Sequence, residues 1–275
     1  MYKRQIYIYP GTYCSTGEGN HDIEIDDDGV KLIGRSASDT ILLVGNQEAI
    51  EITADNVLVK NITIRDVGQG AALKECIYIE GATNVTIEGC DVAEAQYGIR
   101  VVSSNDVHIL NNTIHGNSLW GISIEDSSYC NISGNIVYNN GESANYGNIK
   151  ISDSSSFNTF YNNMVNDSYY GFYIESSTNN NITSNQIYNN SEAGVYITQS
   201  DSNTVQGNDI HSNKYGVHLY TGCYYNNIIY NDIYDNNKTD NSIGIYIEYA
   251  TSGPPSSRNS NNNNCLLYTS PSPRD

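Results

Sequence analysis

Basic residues are scarce in this sequence of 275 residues. Lys and Arg number 13 against 31 Asp and Glu, which gives a formal net charge of −18 at pH 7. Nucleic acid and anionic membranes are bound through basic patches, so neither is an expected partner. A polyuronate chain would also be repelled by the protein as a whole. No apolar run approaches the roughly 20 residues of a membrane span, and we therefore expect no membrane-spanning segment in this sequence.

Metal and redox motifs are missing as well. The cysteines form no C-x-x-C pair and no zinc-type spacing, so we predict buried structural thiols. Met164 is the only methionine besides Met1. His115 and His211 occupy equivalent positions four repeats apart, roughly 19 Å by strand spacing, whereas metal–nitrogen bonds measure about 2 Å. We therefore predict no bound cofactor or transition metal; calcium, considered below, is the one alternative.

A repeat of about 22 residues runs along most of the chain. Each repeat carries a hydrophobic pair separated by one residue: Ile77 and Ile79, Ile99 and Val101, Ile122 and Ile124, Ile149 and Ile151, Phe172 and Ile174, Val195 and Ile197, Val217 and Leu219, and Ile245 and Ile247. A fixed period of this size is typical of repeat architectures, in which each unit buries its apolar face on its neighbours. The alternation within each pair is that of a β-strand.

Three short alternating segments fit within each repeat. They predict an all-β fold, a single-stranded right-handed parallel β-helix (solenoid) of about ten coils of 22–23 residues, on the order of 45 Å long. We expect Ile99, Ile122, Ile174 and Ile197 to point inward. The spacing of the repeats lengthens at residues 141–146 and 237–241, and both segments should form loops without shifting the coils.

Columns of asparagine and glycine keep the same register. The asparagine columns are Asn158, Asn180, Asn203 and Asn226; Asn112, Asn135, Asn163, Asn185, Asn208 and Asn231; and Asn117, Asn140, Asn190, Asn213 and Asn236. Asparagine tolerates the left-handed conformation of sharp bends, and stacked amides can hydrogen-bond from coil to coil. The glycine column is Gly98, Gly121, Gly171, Gly194, Gly216 and Gly244. We predict that both residue types build corners, with glycine allowing backbones to approach closely.

The two ends of the sequence do not follow the repeat. Residues 1–5 and the segment Cys265-Leu-Leu-Tyr-Thr can be encoded by strings that are largely reverse complements, and these resemble a transposon-end adapter of sequencing libraries. We therefore interpret residues 1–5 and 265–275 as adapter-derived, 6–251 as the β-helix and 252–264 as an irregular Pro/Ser/Asn-rich tail. Without the adapter segments the net charge is about −20. A coil cut at its end would leave unpaired strand edges, which favours end-to-end self-association.

A family resemblance supports the β-helix. Ile6-Tyr-Ile-Tyr-Pro-Gly-Thr-Tyr13 resembles the entry strand of pectin-lyase-like β-helices, and Gly29–Gly34 followed by Thr40–Leu42 resembles their second coil. The later Asn-x-x-Gly-Ile segments resemble the parallel β-helix repeats of NosD-type surface proteins. The resemblance implies a secreted or cell-surface protein. It leaves the activity open, because the fold hosts lyases, hydrolases, epimerases, adhesins and scaffolds, and the catalytic motifs of polygalacturonases, pectate lyases and alginate epimerases are missing.

Aromatic residues are the first candidate site. The outward column of the first strand reads Tyr78, Arg100, Ser123, Lys150, Tyr173, Tyr196, His218 and Tyr246, and Tyr97, Trp120, Tyr170 and Tyr215 precede the glycines. Exposed aromatic rings on a rigid sheet suit sugar rings. Alternatively, the tyrosines stack on one another and simply favour strands. The candidate substrate-binding residues are Trp120, Lys150, Tyr173, Tyr196 and Tyr246.

Four carboxylates are the catalytic candidates: Glu125, Asp126, Asp153 and Glu175. They fall on three successive coils. Glu125 and Glu175 are two coils apart, roughly 9.6 Å at the backbone, and inverting glycosidases hold their carboxylates about 6.5–9.5 Å apart. Two other interpretations are a solvated acidic ladder, since Glu80 and Glu248 extend the column, and a calcium site.

The favoured interpretation is a secreted or cell-surface β-helix protein that binds a glycan or cell-surface polysaccharide without catalysis, or that serves as a scaffold. The alternative is a polysaccharide-active hydrolase, lyase or epimerase with an acidic site on the first strand face. Converging carboxylate and basic side chains in a groove would favour the enzyme, whereas a flat tyrosine surface would favour the binding protein.

Overall fold

The computed structural model describes residues 4–14, 23–44, 48–66, 74–141, 143–236, 243–248 and 263–267. Every regular element within these ranges is a β-strand, and the strands are numbered β1–β30 in chain order. They wind into a parallel β-helix, in which each strand pairs with its equivalent one coil later. Each coil contributes one strand to each of three sheets, as the repeat predicts.

The strands of the three sheets alternate along the chain. The first sheet contains β3 (Ile23–Ile25), β6 (Ile50–Ile52), β9 (Glu75–Glu80), β12 (Tyr97–Val102), β15 (Trp120–Glu125), β18 (Gly147–Ser152), β21 (Tyr170–Glu175), β24 (Ala193–Thr198), β27 (Tyr215–Leu219) and β29 (Ile243–Ile247). The second contains β1 (Gln5–Ile8), β4 (Lys31–Gly34), β7 (Leu58–Lys60), β10 (Thr86–Glu88), β13 (His108–Leu110), β16 (Asn131–Ser133), β19 (Thr159–Tyr161), β22 (Asn181–Thr183), β25 (Thr204–Gln206), the start of β28 (Asn227–Tyr234) and β30 (Asn264–Leu267). The third contains β2 (Gly11–Cys14), β5 (Thr40–Val44), β8 (Thr63–Asp66), β11 (Asp91–Ala93), β14 (Thr113–His115), β17 (Ile136–Tyr138), β20 (Met164–Asn166), β23 (Gln186–Tyr188), β26 (Asp209–His211) and the end of β28.

The core is a set of inward columns running along the solenoid. Ile99 pairs in register with Ile122, and both are fully buried, as are Ile174 and Ile197. These four inward positions were predicted and are confirmed. Full burial of a side chain of this size contributes about 1.5–3 kcal/mol, so each coil is held mainly by the apolar columns it shares with its neighbours.

The predicted asparagine columns are buried hydrogen-bonded ladders. The amide nitrogen of Asn163 donates to Oδ1 of Asn185 at 3.0 Å and to the carbonyl oxygen of Ile132 at 2.9 Å. The backbone N–H of Asn163 donates to the same Oδ1 at 2.9 Å. A serine ladder that was not predicted lies at another corner, where the backbone N–H of Ser104 donates to Oγ of Ser127. Each ladder satisfies polar groups that burial would otherwise leave unpaired.

The glycine column marks the closest approach between coils. A Cβ atom on Gly171 would lie 2.5 Å from the carbonyl oxygen of Gly194, and one on Gly194 would lie 2.7 Å from that of Gly216. Real Cβ atoms do not come this close to a backbone oxygen. Packing therefore requires glycine along this column, as predicted, except at Gly244, where a Cβ would meet only Ile233 at 3.5 Å. The prediction that the glycines build corners is wrong, because they lie within strands of the first sheet such as β12 and β21.

Buried thiols occupy positions that belong to the ladders. The backbone N–H groups of Cys90 and Cys130 donate to the side chains of Asn112 and Asn158. Burial raises the pKa of the Cys90 thiol to about 12 and that of Cys130 to about 11. These thiols stay protonated at neutral pH, which agrees with a structural role.

The first long spacing is accommodated as predicted. Residues 143–146 form a bend and turn ahead of β18, and Ile149 still pairs in register with Ile122. Residues 237–241, the second predicted loop, lie outside the described residues. Ile245 beyond them pairs with Val217, so the column continues.

At the C-terminal end, β30 pairs with β28. Asn264 lies opposite Asn227 and Cys265 opposite Ile228. The side chain of Asn263 accepts a hydrogen bond of 2.8 Å from the backbone N–H of Asn226 and so adds a rung to an asparagine ladder. The end of the predicted tail and the start of the segment interpreted as adapter-derived therefore cover the edge of β28. Residues 252–262 of the tail lie outside the described residues.

Candidate functional site

The outward residues of the first sheet form one row along the solenoid. Strand pairing aligns Tyr78, Arg100, Ser123, Lys150, Tyr173, Tyr196, His218 and Tyr246 in this order, which confirms the predicted column. The row is charged in its middle coils and aromatic toward its C-terminal end. The two halves differ in chemistry.

The aromatic half is a patch of stacked rings that we call the tyrosine face. Its members are Tyr170, Tyr173, Tyr196, Tyr215, Tyr220 and Tyr246. The rings of Tyr173 and Tyr196 stack with centroids 5.3 Å apart and planes 5° apart. Those of Tyr215 and Tyr246 stack at 5.2 Å and 16°. These pairs stack along the solenoid axis and cover one another's faces, so a ligand would meet mainly ring edges and hydroxyl groups.

Trp120 does not belong to the exposed surface that its column predicts. Only 3% of the residue is exposed, because its ring packs against Tyr146 and Tyr173 with centroids 6.1 and 5.6 Å away. Tyr146 lies in the loop of the first long spacing, and its place over Trp120 could not be read from the column pattern. Trp120 therefore supports the tyrosine face from beneath.

The hydroxyl groups of Tyr170, Tyr173 and Tyr196 in the tyrosine face remain protonated over the whole physiological range, because their pKa values are raised. Burial raises the pKa of Tyr173 to about 12, and the nearby carboxylate of Glu175 adds to the effect. Burial also raises the pKa values of Tyr170 and Tyr196. A protonated phenol can both donate and accept a hydrogen bond, which suits recognition of sugar hydroxyls.

His218 is enclosed by the tyrosine face. It is 6% exposed, and its ring lies 4.9 Å from the rings of Tyr196, Tyr215 and Tyr246. Nε2 lies 3.4 Å from a carboxylate oxygen of Glu248, but neither ring nitrogen makes a hydrogen bond of good geometry. Burial lowers the pKa of His218, although Glu248 opposes the shift. The imidazole is therefore neutral at pH 7.

The charged half of the row is organised around Arg100. Nε and Nη2 donate to the two carboxylate oxygens of Glu125 at 3.1 and 2.8 Å, and Nη1 donates to Glu75 at 3.0 Å. The hydroxyl of Ser123 donates to Glu125 at 2.8 Å, and Nζ of Lys150 lies 4.0 Å away. Glu125, the first catalytic candidate, is thus held by two side chains, Arg100 and Ser123, and approached by a third, Lys150.

The pKa values of the two carboxyl groups that bind Arg100 are shifted in opposite directions. Burial alone would raise the pKa of Glu125, but hydrogen bonds from Arg100 and Ser123 outweigh it and the pKa is lowered. Burial raises the pKa of Glu75, and the single hydrogen bond from Arg100 does not fully compensate. Oε2 of Glu75 is buried without a hydrogen-bond partner. Opposed shifts of this kind are typical of acid–base pairs but also occur in structural ion clusters.

The remaining catalytic candidates lie at the corner and margin of the first sheet. Asp126 and Asp153 are exposed, adopt positive φ angles of 47° and 57°, and accept hydrogen bonds from Ser103 and Ser152. Glu175 is half-buried beside Tyr173. Among the described residues, no group of three or more His, Cys, Asp and Glu side chains is arranged to hold a metal ion. The calcium site remains a prediction.

Glu75 is the residue of this site that the sequence pattern missed. It pairs in register with Tyr97, and Tyr97 pairs with Trp120. Extending the aromatic column by one coil would have found it. The ring of Tyr97 lies 4.9 Å from the Arg100 guanidinium and covers it.

The sequence matches the family described as right handed beta helix region over residues 12–165 and 121–272. The chain belongs to the right-handed β-helix family. No curated protein shows significant sequence similarity to it. No helix among the described residues of this β-helix protein is long and apolar enough to cross a membrane.

Several solved β-helix structures resemble this one. The enzymatically active domain of tailspike protein 2 from bacteriophage CBA120 gives a TM-score of 0.73 at 12% identity, over 90% of this chain but 42% of the tailspike. The A-module of mannuronan C-5 epimerase AlgE6 from Azotobacter vinelandii gives 0.59 at 18% identity, over 96% of this chain and 87% of the module. DFA-IIIase from Arthrobacter chlorophenolicus A6 gives a TM-score of 0.66 at 12% identity, over 95% of this chain and 84% of that enzyme. At these identities the similarity establishes the shared fold alone.

Proposed function

We propose that this β-helix protein is an extracellular or cell-surface protein that binds a glycan on its tyrosine face and does not convert it. The observation that carries the proposal is the run of aromatic rings along the outer surface of β21, β24, β27 and β29, in which Tyr173 stacks on Tyr196 and Tyr215 stacks on Tyr246. Ring edges and hydroxyl groups form a half-apolar, half-polar strip, which matches the mixed surface of a sugar chain. The net charge of −18 favours a neutral or cationic glycan.

Names of structural neighbours support a polysaccharide-related role. They include a mannuronan epimerase module and a tailspike domain described as enzymatically active. At 12% and 18% identity the similarity of these proteins to this chain extends to the fold alone. The choice between binding and catalysis therefore rests on the groups of this chain.

The state of Glu125 favours binding over catalysis. Its carboxylate oxygens already accept hydrogen bonds from Arg100 and Ser123. A nucleophile or general base needs an oxygen within about 2.6–3.2 Å of the substrate, and three of the roughly four acceptor sites of this carboxylate already take hydrogen bonds from the protein. Asp126 and Asp153 lie at an exposed corner with no basic partner among the described ion pairs.

One observation favours the enzyme alternative. Glu75 and Glu125 flank Arg100 with pKa values shifted in opposite directions, which would allow Glu75 to donate a proton while Glu125 stays ionised. Glu75 is only 3% exposed. Catalysis would therefore need the site to open.

The test compares two pairs of stacked aromatic residues. The variant Tyr173→Ala/Tyr196→Ala removes the centre of the tyrosine face. The control Tyr188→Ala/Tyr234→Ala removes two outward tyrosines of the third sheet, each stacked on His211. Both proteins and the unmodified chain are applied to a glycan array that includes neutral, cationic and uronate chains. Reducing ends and unsaturated products are measured in parallel, and thermal unfolding checks the fold.

Binding by the unmodified chain and the control, but not by the tyrosine-face variant, is the expected result. Binding that survives the loss of Tyr173 and Tyr196 would overturn the proposal and leave a scaffold. Product formation abolished by Glu125→Gln, Asp153→Asn or Glu75→Gln would instead establish the enzyme.

A further inference from the structure

A groove lies on the outer surface of the third sheet, away from the tyrosine face. Its volume is about 630 Å³. The lining residues are Thr12, Ala37, Ser38, Ile41, Leu43, Thr63, Arg65, Gly89, Cys90, Asp91, Asn111 and Thr113. Ligand pockets typically enclose about 300–1,000 Å³, so the groove is large enough for one or two sugar rings.

One wall of the groove is a corner that is longer than those of the following coils. Residues 35–39 connect β4 to β5, whereas two residues connect β7 to β8 and β10 to β11. The wall is fixed, because Nε of Arg35 donates to Asp39 at 2.7 Å and the hydroxyl of Thr63 donates to the carbonyl oxygen of Ala37 at 2.6 Å. The concavity is thus built into the backbone of this coil.

The floor of the groove is made of side chains in register on neighbouring strands. Thr63, Asp91 and Thr113 are aligned on β8, β11 and β14. Because these side chains are short, they leave space above them for a ligand. Ile41 and Leu43 of β5 form an apolar side of the groove. This combination of hydroxyl groups and a small apolar surface is suited to the two faces of a sugar ring.

Arg65 and Asp91 supply the polar specificity of the groove. Nη2 of Arg65 lies 2.8 Å from Oδ2 of Asp91, and Nε2 of His115 lies 3.1 Å from Oδ1. Nε of Arg65 is buried and has no hydrogen-bond partner. Hydrogen bonds from His115 and Arg65 outweigh burial and lower the pKa of Asp91, so its carboxylate is charged at neutral pH. The groove therefore places the guanidinium of Arg65, whose side chain is 36% exposed, beside a fixed acceptor.

We propose that this groove is a second binding site, separate from the tyrosine face, which takes a neutral saccharide unit. Vicinal sugar hydroxyls can accept from Arg65 and donate to Asp91 at the same time. The Asp91 charge neutralises Arg65 and repels anions, so a uronate binds more weakly than the matching neutral sugar. A rod with two distant sites can hold a glycan more tightly than either site alone.

The experiment uses methyl glycosides of glucose, galactose and mannose, with glucuronate as the charged comparison, in calorimetric titrations of the full chain. Thr113→Trp fills the floor of the groove beside Asp91 while leaving Arg65, Asp91 and His115 unchanged in sequence. Gln186→Trp is the matched control, since Gln186 occupies the same register position three coils further on. Arg65→Leu tests the unpaired donor, and thermal unfolding checks that each variant is folded.

We expect at least one methyl glycoside to bind, with affinity reduced about tenfold or more by Thr113→Trp and Arg65→Leu and unchanged by Gln186→Trp. Removing Tyr173 and Tyr196 leaves this binding unchanged, which separates the groove from the tyrosine face. Absence of binding by all three glycosides, binding that survives Thr113→Trp, or tighter binding of glucuronate would each overturn the proposal.

Discussion

Arg100 and Glu125 form a two-point ion pair between neighbouring coils, in which Nε and Nη2 donate to the two carboxylate oxygens at 3.1 and 2.8 Å. The pair lies on the outward row of the first sheet, where a catalytic carboxylate was predicted. Bidentate pairing fixes both position and orientation of the carboxylate. A side chain chosen as a candidate catalyst thus contributes to the cohesion of three successive coils.

Arg100→Met should destabilise the fold by about 3 kcal/mol. The substitution leaves the carboxylates of Glu75 and Glu125, which are 4% and 11% exposed, without the guanidinium that neutralises them. Denaturant unfolding measures the change. Lys60→Met, which breaks a pair with Glu88 that is one-third exposed, should cost about 1 kcal/mol or less. If the triple variant with Glu75→Gln and Glu125→Gln regains no stability, packing rather than charge explains the loss.

The two carboxyl groups on Arg100 should give opposite pH dependence. Glu125 has a lowered pKa, so its contribution is present above the unfolded value of about 4.3 and is lost as the pH falls through the folded value. Glu75 has a raised pKa, so its contribution is full below about 4.3 and is lost as the pH rises through the folded value. Relative to the unmodified chain, Glu125→Gln should lose less stability toward pH 3, and Glu75→Gln should gain toward pH 7. Melting temperatures of the three proteins, measured from pH 3 to pH 7, test this prediction. If both variants follow the same pH dependence as the unmodified chain, the opposite pKa shifts of Glu125 and Glu75 are contradicted.

Asn185→Ala should cost about 3 kcal/mol, because it leaves the backbone N–H of Asn163 and the carbonyl oxygen of Phe160 buried without partners. Chemical denaturation of the two proteins provides the measurement. The neighbouring exposed residue serves as control: Gln186→Ala should change stability by about 0.5 kcal/mol or less. Equal effects of the two substitutions would argue against the ladder as a source of stability.

Deletion of residues 265–275 should promote self-association. It removes Cys265 and Leu266, which cover the edge of β28, and exposed strand edges pair with other chains. Sedimentation velocity at increasing concentration would show the larger species. Deletion of residues 268–275 keeps β30 and should leave the degree of self-association unchanged. A monodisperse monomer after the longer deletion would show that the edge is protected in another way.

The fold could be predicted from the sequence because every inward residue recurs at a fixed interval. Ile99, Ile122, Ile174 and Ile197 were assigned correctly by counting alone. The site was predicted less well, because its chemistry depends on side chains that cross between coils. Neither the burial of Trp120 by Tyr146 nor the bridge from Arg100 to Glu75 and Glu125 follows from a column. The groove depends on the long corner at residues 35–39, which departs from the repeat.

The glycine column has a consequence for how such a rod can change in length. Several glycines accommodate the carbonyl oxygen of the glycine one coil further on, as Gly171 does for Gly194 and Gly194 for Gly216. In this part of the solenoid a coil therefore fits a copy of itself at this contact. Tandem duplication or loss of one of these coils would preserve the contact between the glycines. Evolution can thus adjust the distance between the two ends in steps of roughly 4.8 Å.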